Sequence, residues 1–333
     1  MRDVLGREIH DLRVSVTDRC NLRCQFCMPE SENYEFFPRS EVLRFEEIER
    51  IVRVAVPLGV RKVRLTGGEP LVRRGIENLI HLLSKVDGLE DISMTTNGLL
   101  LSEKAYALKE SGLKRVTVSF HSLKDDVFSQ IVGKKVEVSQ IVKGIEAAID
   151  SGLKPVKANV CVVRDLNDGE VLDVAKFFKE MGVVVRFIEF MDVGTVNAWS
   201  LERVVSAKEI VSKIAKEFDI EPVEKSYRGE VAEKYRYKDD GLEFGIISSV
   251  TQPFCGDCNR LRLTADGKLL TCLFASYGHD IKSLLRHGAR DEEIGEFIKR
   301  VWESRKDRYS EERLERIERG ENFRKVEMFQ VGG

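Results

Sequence analysis

The chain has 333 residues, 42% of them hydrophobic, a formal net charge of −2 and 33% charged residues. That is enough apolar material for one large domain and a smaller appendage, and the near-neutral balance excludes the basic surface of a nucleic-acid or anionic-membrane binder. No apolar run approaches the roughly 18 residues of a membrane span, and the opening MRDVLGREIHD lacks the apolar stretch of a signal peptide, so a cytoplasmic location is expected.

The first two-thirds alternate strand and helix patterns. A strand over 12–17 precedes an amphipathic helix over 45–58. Next come a strand at 61–66, a helix at 75–86, a strand at 91–96 and a helix from 101. A strand at 114–121 leads to helices at 125–131 and 138–151. A strand at 156–163, a helix at 168–181 and a strand at 183–189 end the series. Glycines such as Gly112 and Gly152 stand where helix C-caps belong. Such repetition predicts a parallel sheet with right-handed crossovers.

Strand parity narrows the architecture. Val116, Val118 and Phe120 share one face, opposite Thr117, Ser119 and His121. Leu12, Val14 and Val16 oppose Arg13, Ser15 and Thr17, and Val63 and Leu65 oppose Lys62, Arg64 and Thr66. A closed eight-stranded barrel would fill its interior with apolar layers. The polar faces instead predict an open, partial (βα)6 TIM-like barrel with a wet concave face; a sheet with one solvated face is the alternative. After 191 the pattern changes to a helix at 205–218, irregular strands over 222–250, helical stretches at 279–287 and 291–302, and a charge-dense segment at 303–321 that reads as a solvated helix or arm. The expected division is a barrel domain over 1–218 and a C-terminal α+β domain over 219–333, with the boundary anywhere in 190–222.

Seven cysteines need explaining in a reducing compartment, where disulfides are rare. Cys161 stands apart in an apolar strand and reads as a small buried hydrophobe. Cys20, Cys24 and Cys27 form C-x-x-x-C-x-x-C in the loop after the first strand, the end at which parallel sheets place active sites. Three thiolates without a fourth suit a cubane iron–sulfur cluster with one open iron, which can bind a substrate; structural zinc wants four ligands and is the competing reading. The second strand ends in Thr66-Gly67-Gly68-Glu69-Pro70, either a tight turn or a close ligand approach with Glu69 gripping an ammonium group. Cys255, Cys258 and Cys272 form a second trio, which read alone is half a zinc ribbon as readily as a cluster site. Between its members Arg260 and Arg262 sit two apart, so on a strand their forks point the same way, toward a polyphosphate or toward solvent.

Cys20–Cys27 followed by Gly67-Gly68-Glu69-Pro70 resembles the radical S-adenosylmethionine superfamily. The runs LGREIHDLRVSVTDRCNLRCQFCMP, VRLTGGEPLVRR, TTNGLLL, RFIEFMDVG, C-x-x-C-x-R-x-R, the third cysteine, DRYS and a terminal Gly-Gly resemble, nearly end to end, its branch that opens molybdenum-cofactor biosynthesis. The resemblance implies two 4Fe–4S clusters, one on Cys20, Cys24 and Cys27 and a second, in the C-terminal domain, on Cys255, Cys258 and Cys272. Phe26 (by its backbone), Gly68, Ser119 and Met191 would contact S-adenosylmethionine. Arg13, Arg64, Thr95, Lys157, Arg260 and Arg262 would bind GTP, with Arg186 in the same basic interior. The implied reaction takes hydrogen from C3′ of GTP and joins that carbon to C8 of guanine. It needs a one-electron donor and a downstream enzyme that forms cyclic pyranopterin, with a homodimer left open. The Gly332-Gly333 tail would reach into the site, unless it is simply disordered. Phe26 replaces a frequent Tyr, and His121 stands where an aspartate is common; His121 reads as a satisfied histidine at a strand end. A peptide-modifying radical enzyme and a zinc-binding module are the rival readings.

Overall fold

The computed structural model describes residues 1–321 and 324–332. Six strand–helix steps build its centre: β1 (Asp11–Ser15), α1 (Phe45–Ala55), β2 (Lys62–Thr66), α2 (Ile76–Ser84), β3 (Asp91–Thr96), α3 (Leu101–Glu110), β4 (Arg115–Ser119), α4 (Asp125–Val132), α5 (Val138–Asp150), β5 (Lys157–Val162), α6 (Val171–Glu180) and β6 (Val184–Glu189). After α7 (Ala207–Ile214) the chain adds β7 (Ile220–Val223), β8 (Glu233–Tyr237), β9 (Glu243–Ile247), β10 (Arg260–Leu263), β11 (Lys268–Leu270) and β12 (His279–Asp280). It ends with α8 (Lys282–Arg286), α9 (Asp291–Glu303), α10 (Tyr309–Glu318) and α11 (Met328–Val331).

Among the described residues twelve strands form one sheet in the order β12-β11-β10-β1-β2-β3-β4-β5-β6-β9-β8-β7. β1 to β6 run parallel. The sheet is the expected open, partial barrel. Its two edges are not left bare: β9 adds parallel to β6 and β10 adds parallel to β1, after which antiparallel hairpins turn outward. Covering both edges of the six-strand unit removes its unpaired backbone groups, so residues beyond 218 complete the barrel wall.

The parity reading holds along the central strands. Leu12, Val14, Val63, Leu65, Val116 and Val118 are buried against the helices, while Arg13, Arg64, Thr117 and Ser119 turn inward or sit at the rim of the interior. α1 illustrates the outer layer: Ile48, Ile51, Val52 and Ala55 recur at helical spacing and are all buried, and Glu47 accepts from the Arg44 N–H at 2.7 Å to complete a capping box.

Three segments depart from expectation. Residues 168–170 form a 3-10 turn before α6, and the Glu170 carboxylate accepts from Ser122 Oγ and the Leu123 N–H, at 2.8 and 2.9 Å. The 279–287 stretch begins as β12, pairing with β11, before α8 starts. The 303–321 segment is not only solvated: α10 buries Tyr309 and Arg313, whose side chains both bond Asp192 after β6, Arg313 Nε donating at 2.8 Å. No helix among the described residues is long and apolar enough to cross a membrane.

Candidate active site

The loop after β1 is set by backbone contact with the loop after β2. Gly68 N donates to the Thr17 carbonyl at 2.8 Å and Glu69 N to the Arg19 carbonyl at 2.9 Å. A Cβ on Gly67 would lie 2.3 Å from Thr17 O, and one on Gly68 2.3 Å from Arg19 O. The two glycines therefore exist in part so that one loop can lie on the other. On the far side, Arg23 N and Gln25 N donate to Val132 O and Ile131 O at the end of α4, both at 2.9 Å. The Met28 N–H closes a turn on Cys24 O at 2.8 Å.

This clamp presents Cys20, Cys24 and Cys27 as free thiols. Burial pushes Cys20 up to about 11; burial, then the neighbouring cysteines, raise Cys24 and Cys27 as well. Thiols that resist ionisation in an apolar wall become good ligands when a cationic iron cluster supplies the missing charge. The donor set, all sulfur and all on one loop, fits such a cluster. Among the described residues no three His, Cys, Asp or Glu side chains gather as ligands of a single ion; around a cubane each thiolate meets a different iron and need not do so. Glu69 lies beside this loop, buried. It accepts from Leu71 N, Thr96 Oγ1 and Asn97 N at 2.9, 2.7 and 2.6 Å. Burial outweighs those bonds and raises it to about 7.

The second trio stands across the same cavity, of about 670 Å³, which the six cysteines of the two trios line together. Cys255 and Cys258 share a 3-10 turn, with Cys258 N donating to Cys255 O at 3.1 Å. Burial pushes the Cys258 thiol up, but the Arg260 and Arg305 guanidinium groups overcome it and leave it lowered to about 5. Burial and Asp307 raise Cys272 to about 12. The fold thus brings together two trios separated by more than 200 positions, by seating β10 beside β1.

Between the trios lies a basic layer. Arg13 pairs in register with Arg262 on one side and Arg64 on the other. Burial and those cations hold the Arg13 guanidinium well below its ordinary range. Burial, then Arg260, lowers Arg262 to about 10; burial, then Arg64 and Arg115, lowers Arg186 to about 9. Lys157 falls to about 7 through burial and the charges of Arg186, Arg115 and Arg64. Asp11, Glu230 and Glu243 also reach the cavity, without cancelling the cationic face.

All the sequence-assigned contacts (Phe26, Gly68, Ser119, Met191, Arg13, Arg64, Thr95, Lys157, Arg186, Arg260 and Arg262) line this one cavity. Thr117 and Asn159 were not among them. Thr117 Oγ1 accepts from Arg64 Nη1 at 3.2 Å and from Arg186 Nη2 at 3.3 Å, and Asn159 Oδ1 accepts from Arg186 Nε at 2.9 Å. Their signal was the alternating polar face of β4 and β5. Lys62, Arg115 and Arg305 were also missed; Lys62 and Arg115 share that parity, whereas Arg305 has no local signal. Cys161 corrects its reading as a buried hydrophobe: on the same face of β5 as Asn159, it lines the cavity. His121 is buried and lowered to about 4 by that burial, so it is neutral. Its Nδ1 accepts from Cys161 N at 3.4 Å and its ring meets Phe26 edge-on at 4.9 Å.

The end of the chain also enters. Lys325 Nζ donates to Asp192 Oδ2 at 2.7 Å, Val326 N to Ala275 O at 2.9 Å, and Phe329 packs edge-on to Tyr34 at 5.3 Å. Gly332 O then accepts from Arg262 Nη1 at 2.7 Å. Gly333 lies outside the described residues.

A partial barrel with a three-thiol loop at the C-terminal end of its first strand is the architecture of radical S-adenosylmethionine proteins, and residues 14–178 match the Radical SAM superfamily. Residues 183–311 match Molybdenum Cofactor Synthesis C. The chain is 51% identical over 331 residues to the GTP 3′,8-cyclase of Aquifex aeolicus (strain VF5), covering 99% of each. It is 44% identical over 337 residues to that of Staphylococcus aureus (strain JH9), covering 100% of this chain and 99% of the relative. It belongs to the GTP 3′,8-cyclase family. Among solved structures, Streptococcus suis SuiB bound to its precursor peptide SuiA superposes with a TM-score of 0.62 at 15% identity, over 90% of this chain and 66% of SuiB. SuiB bound to S-adenosylmethionine gives 0.58 at 16%, over 80% and 60%. That likeness is one of fold.

Proposed function

We propose that the chain cyclises GTP to 3′,8-cyclo-7,8-dihydroguanosine 5′-triphosphate, the first step of molybdenum-cofactor biosynthesis. One observation carries the reading: two cysteine trios and a row of guanidinium groups line one cavity. In this proposal Cys20, Cys24 and Cys27 hold one 4Fe–4S cluster, and Phe26, Gly68, Ser119 and Met191 contact S-adenosylmethionine. Cys255, Cys258 and Cys272 hold a second cluster, open to the guanine ring. When bound, the first cluster and S-adenosylmethionine supply the 5′-deoxyadenosyl radical that takes hydrogen from the ribose.

The protein's task is then placement. Arg262 is buried and Arg13, Arg64, Lys157, Arg186 and Arg260 are partly buried; a triphosphate relieves the repulsion among these cations. Thr117 and Asn159 hold Arg64 and Arg186 in place, so that the forks are oriented before substrate arrives. Thr95 bonds Arg64 Nη1 at 3.2 Å and is available to the ribose. Gripping both ends of the nucleotide brings C3′ and C8 to attack distance, which can supply several kcal/mol of the barrier. The one-electron donor and the pyranopterin-forming enzyme belong to the same proposal.

The test is anaerobic incubation of iron-reconstituted protein with S-adenosylmethionine, a reductant and GTP deuterated at C3′. Deuterium should appear in 5′-deoxyadenosine as GTP is consumed; absence of transfer overturns the proposal. Metal analysis should find about eight irons per chain for two cubanes. About four irons with zinc would remove the second cluster, and two zincs would end the radical reading.

A further inference from the structure

Arg305 follows α9 and is 4% exposed. It comes from neither cysteine run, yet its fork closes on the middle ligand of the second trio: Nη1 donates to Cys258 O at 2.7 Å and Nη2 to Cys258 Sγ at 3.1 Å. Arg260 Nη2 reaches the same sulfur at 3.2 Å. Among the described residues both hydrogen bonds from a guanidinium to a sulfur end on Cys258. The two arginines differ in how they are held. Arg260 lies on β10 between the sulfur and the basic layer. Arg305 is fastened from behind: its guanidinium lies 4.7 Å above the ring of Trp302, Asp307 Oδ2 is 3.6 Å from its Nε, and Asp3 Oδ2 is 4.0 Å from Nη1. Asp3 is in turn paired with Arg7, which donates to Cys255 O at 2.9 Å and to Asp307 O at 2.8 Å. The N-terminal segment and the end of α9 thus form a buried bracket around Cys255 and Cys258.

We propose that Arg305 is a positioning residue for the second trio, locking Cys258 by its backbone and its sulfur together and raising the reduction potential of the cluster held there. This rests on the proposed reading that Cys255, Cys258 and Cys272 carry a 4Fe–4S cluster. The physical ground is that reduction adds negative charge to cluster and sulfurs, and a fixed cationic donor on a sulfur stabilises the reduced form more than the oxidised one. One lysine ammonium, a point charge on a flexible stem, cannot reproduce a fork that spans carbonyl and sulfur.

The experiment uses the full-length chain with Cys20, Cys24 and Cys27 replaced by alanine, so that only the second site takes up iron, and compares it with the same chain carrying Arg305→Gln or Arg305→Lys. Iron content and a redox titration followed by electron paramagnetic resonance are measured. With about four irons retained, R305Q should show at least a tenfold lower ratio of reduced to oxidised cluster at a fixed solution potential, equivalent to about 59 mV for a one-electron couple. R305K should shift in the same direction by less. An unchanged midpoint in R305Q with iron retained overturns the proposal. If R305Q takes up no iron, the midpoint of R305K decides, and a value equal to the parent overturns it. A parent without iron removes the cluster reading itself, a failure distinct from an unmoved potential.

Discussion

Arg262 Nη1 donates to the carbonyl oxygen of Gly332 at 2.7 Å, a buried bond that joins β10 to the end of the chain. The tail thereby lies on one of the forks proposed to take triphosphate, and it also brings Met328 to the cavity wall.

Gly332 has a φ of +65°, and a Cβ there would lie 2.2 Å from Thr66 Cγ2. Gly332→Ala should therefore push the tail off Arg262. A loss of about 1–2 kcal/mol in positioning corresponds to roughly a tenfold slower cyclisation, with iron content unchanged. Product formation and iron analysis on the same preparation check this; a parental rate would reduce the tail to packing.

Lys157 stands at about 7 because burial, then Arg186, Arg115 and Arg64, disfavour its charge. A bound phosphate favours the charge and raises that value. Between the free and bound values GTP binding takes up a proton, so affinity is fully present below about pH 7 and falls as pH rises, by up to about tenfold per unit. Titration calorimetry at pH 6.5 to 8.5 in buffers of different ionisation enthalpy should show weakening and proton uptake. Lys157→Met should flatten the dependence, and a slope that survives it would assign the proton elsewhere.

Thr117 serves two partly buried cations at once. Thr117→Val removes an acceptor from both, at about 1–3 kcal/mol for groups left unsatisfied. We expect the KM for GTP to rise by about ten- to a hundredfold, with first-site iron retained. Steady-state kinetics check this; an unchanged KM would mean that Arg64 and Arg186 do not need the hydroxyl to meet substrate.

Gly68→Ala would set a Cβ 2.3 Å from Arg19 O, backbone against backbone. The cysteine loop must then shift, and the first site should lose its iron while the second keeps it, leaving about half the total. Iron analysis after anaerobic reconstitution reads this directly, and full iron would show that the loops can part without cost to ligation.

Much of this site was legible in the chain. Both trios, the Gly67–Gly68 approach and the polar faces of β1, β2 and β4 follow from spacing, because successive Cβ atoms on a strand alternate and two-residue steps share a face. Thr117 and Asn159 were within reach of the same argument. Cys161 was misread because it was judged by its apolar neighbours Val160 and Val162, whereas the two-residue step from Lys157 and Asn159 puts it on their inward face. The charged stretch around α10 looked solvated because Arg313 reads as a surface residue until Asp192 is seen to face it.

Spacing along the chain carries the two cysteine trios, the strand faces and the class of chemistry, all of them properties of near neighbours. The folded chain adds that β10 lies beside β1, that the two trios share one cavity, that Arg305 reaches Cys258 and that Gly332 reaches Arg262. Those pairings join positions tens to hundreds of residues apart, and what selects them is the burial of a common core and the pairing of sheet edges, which no local spacing encodes.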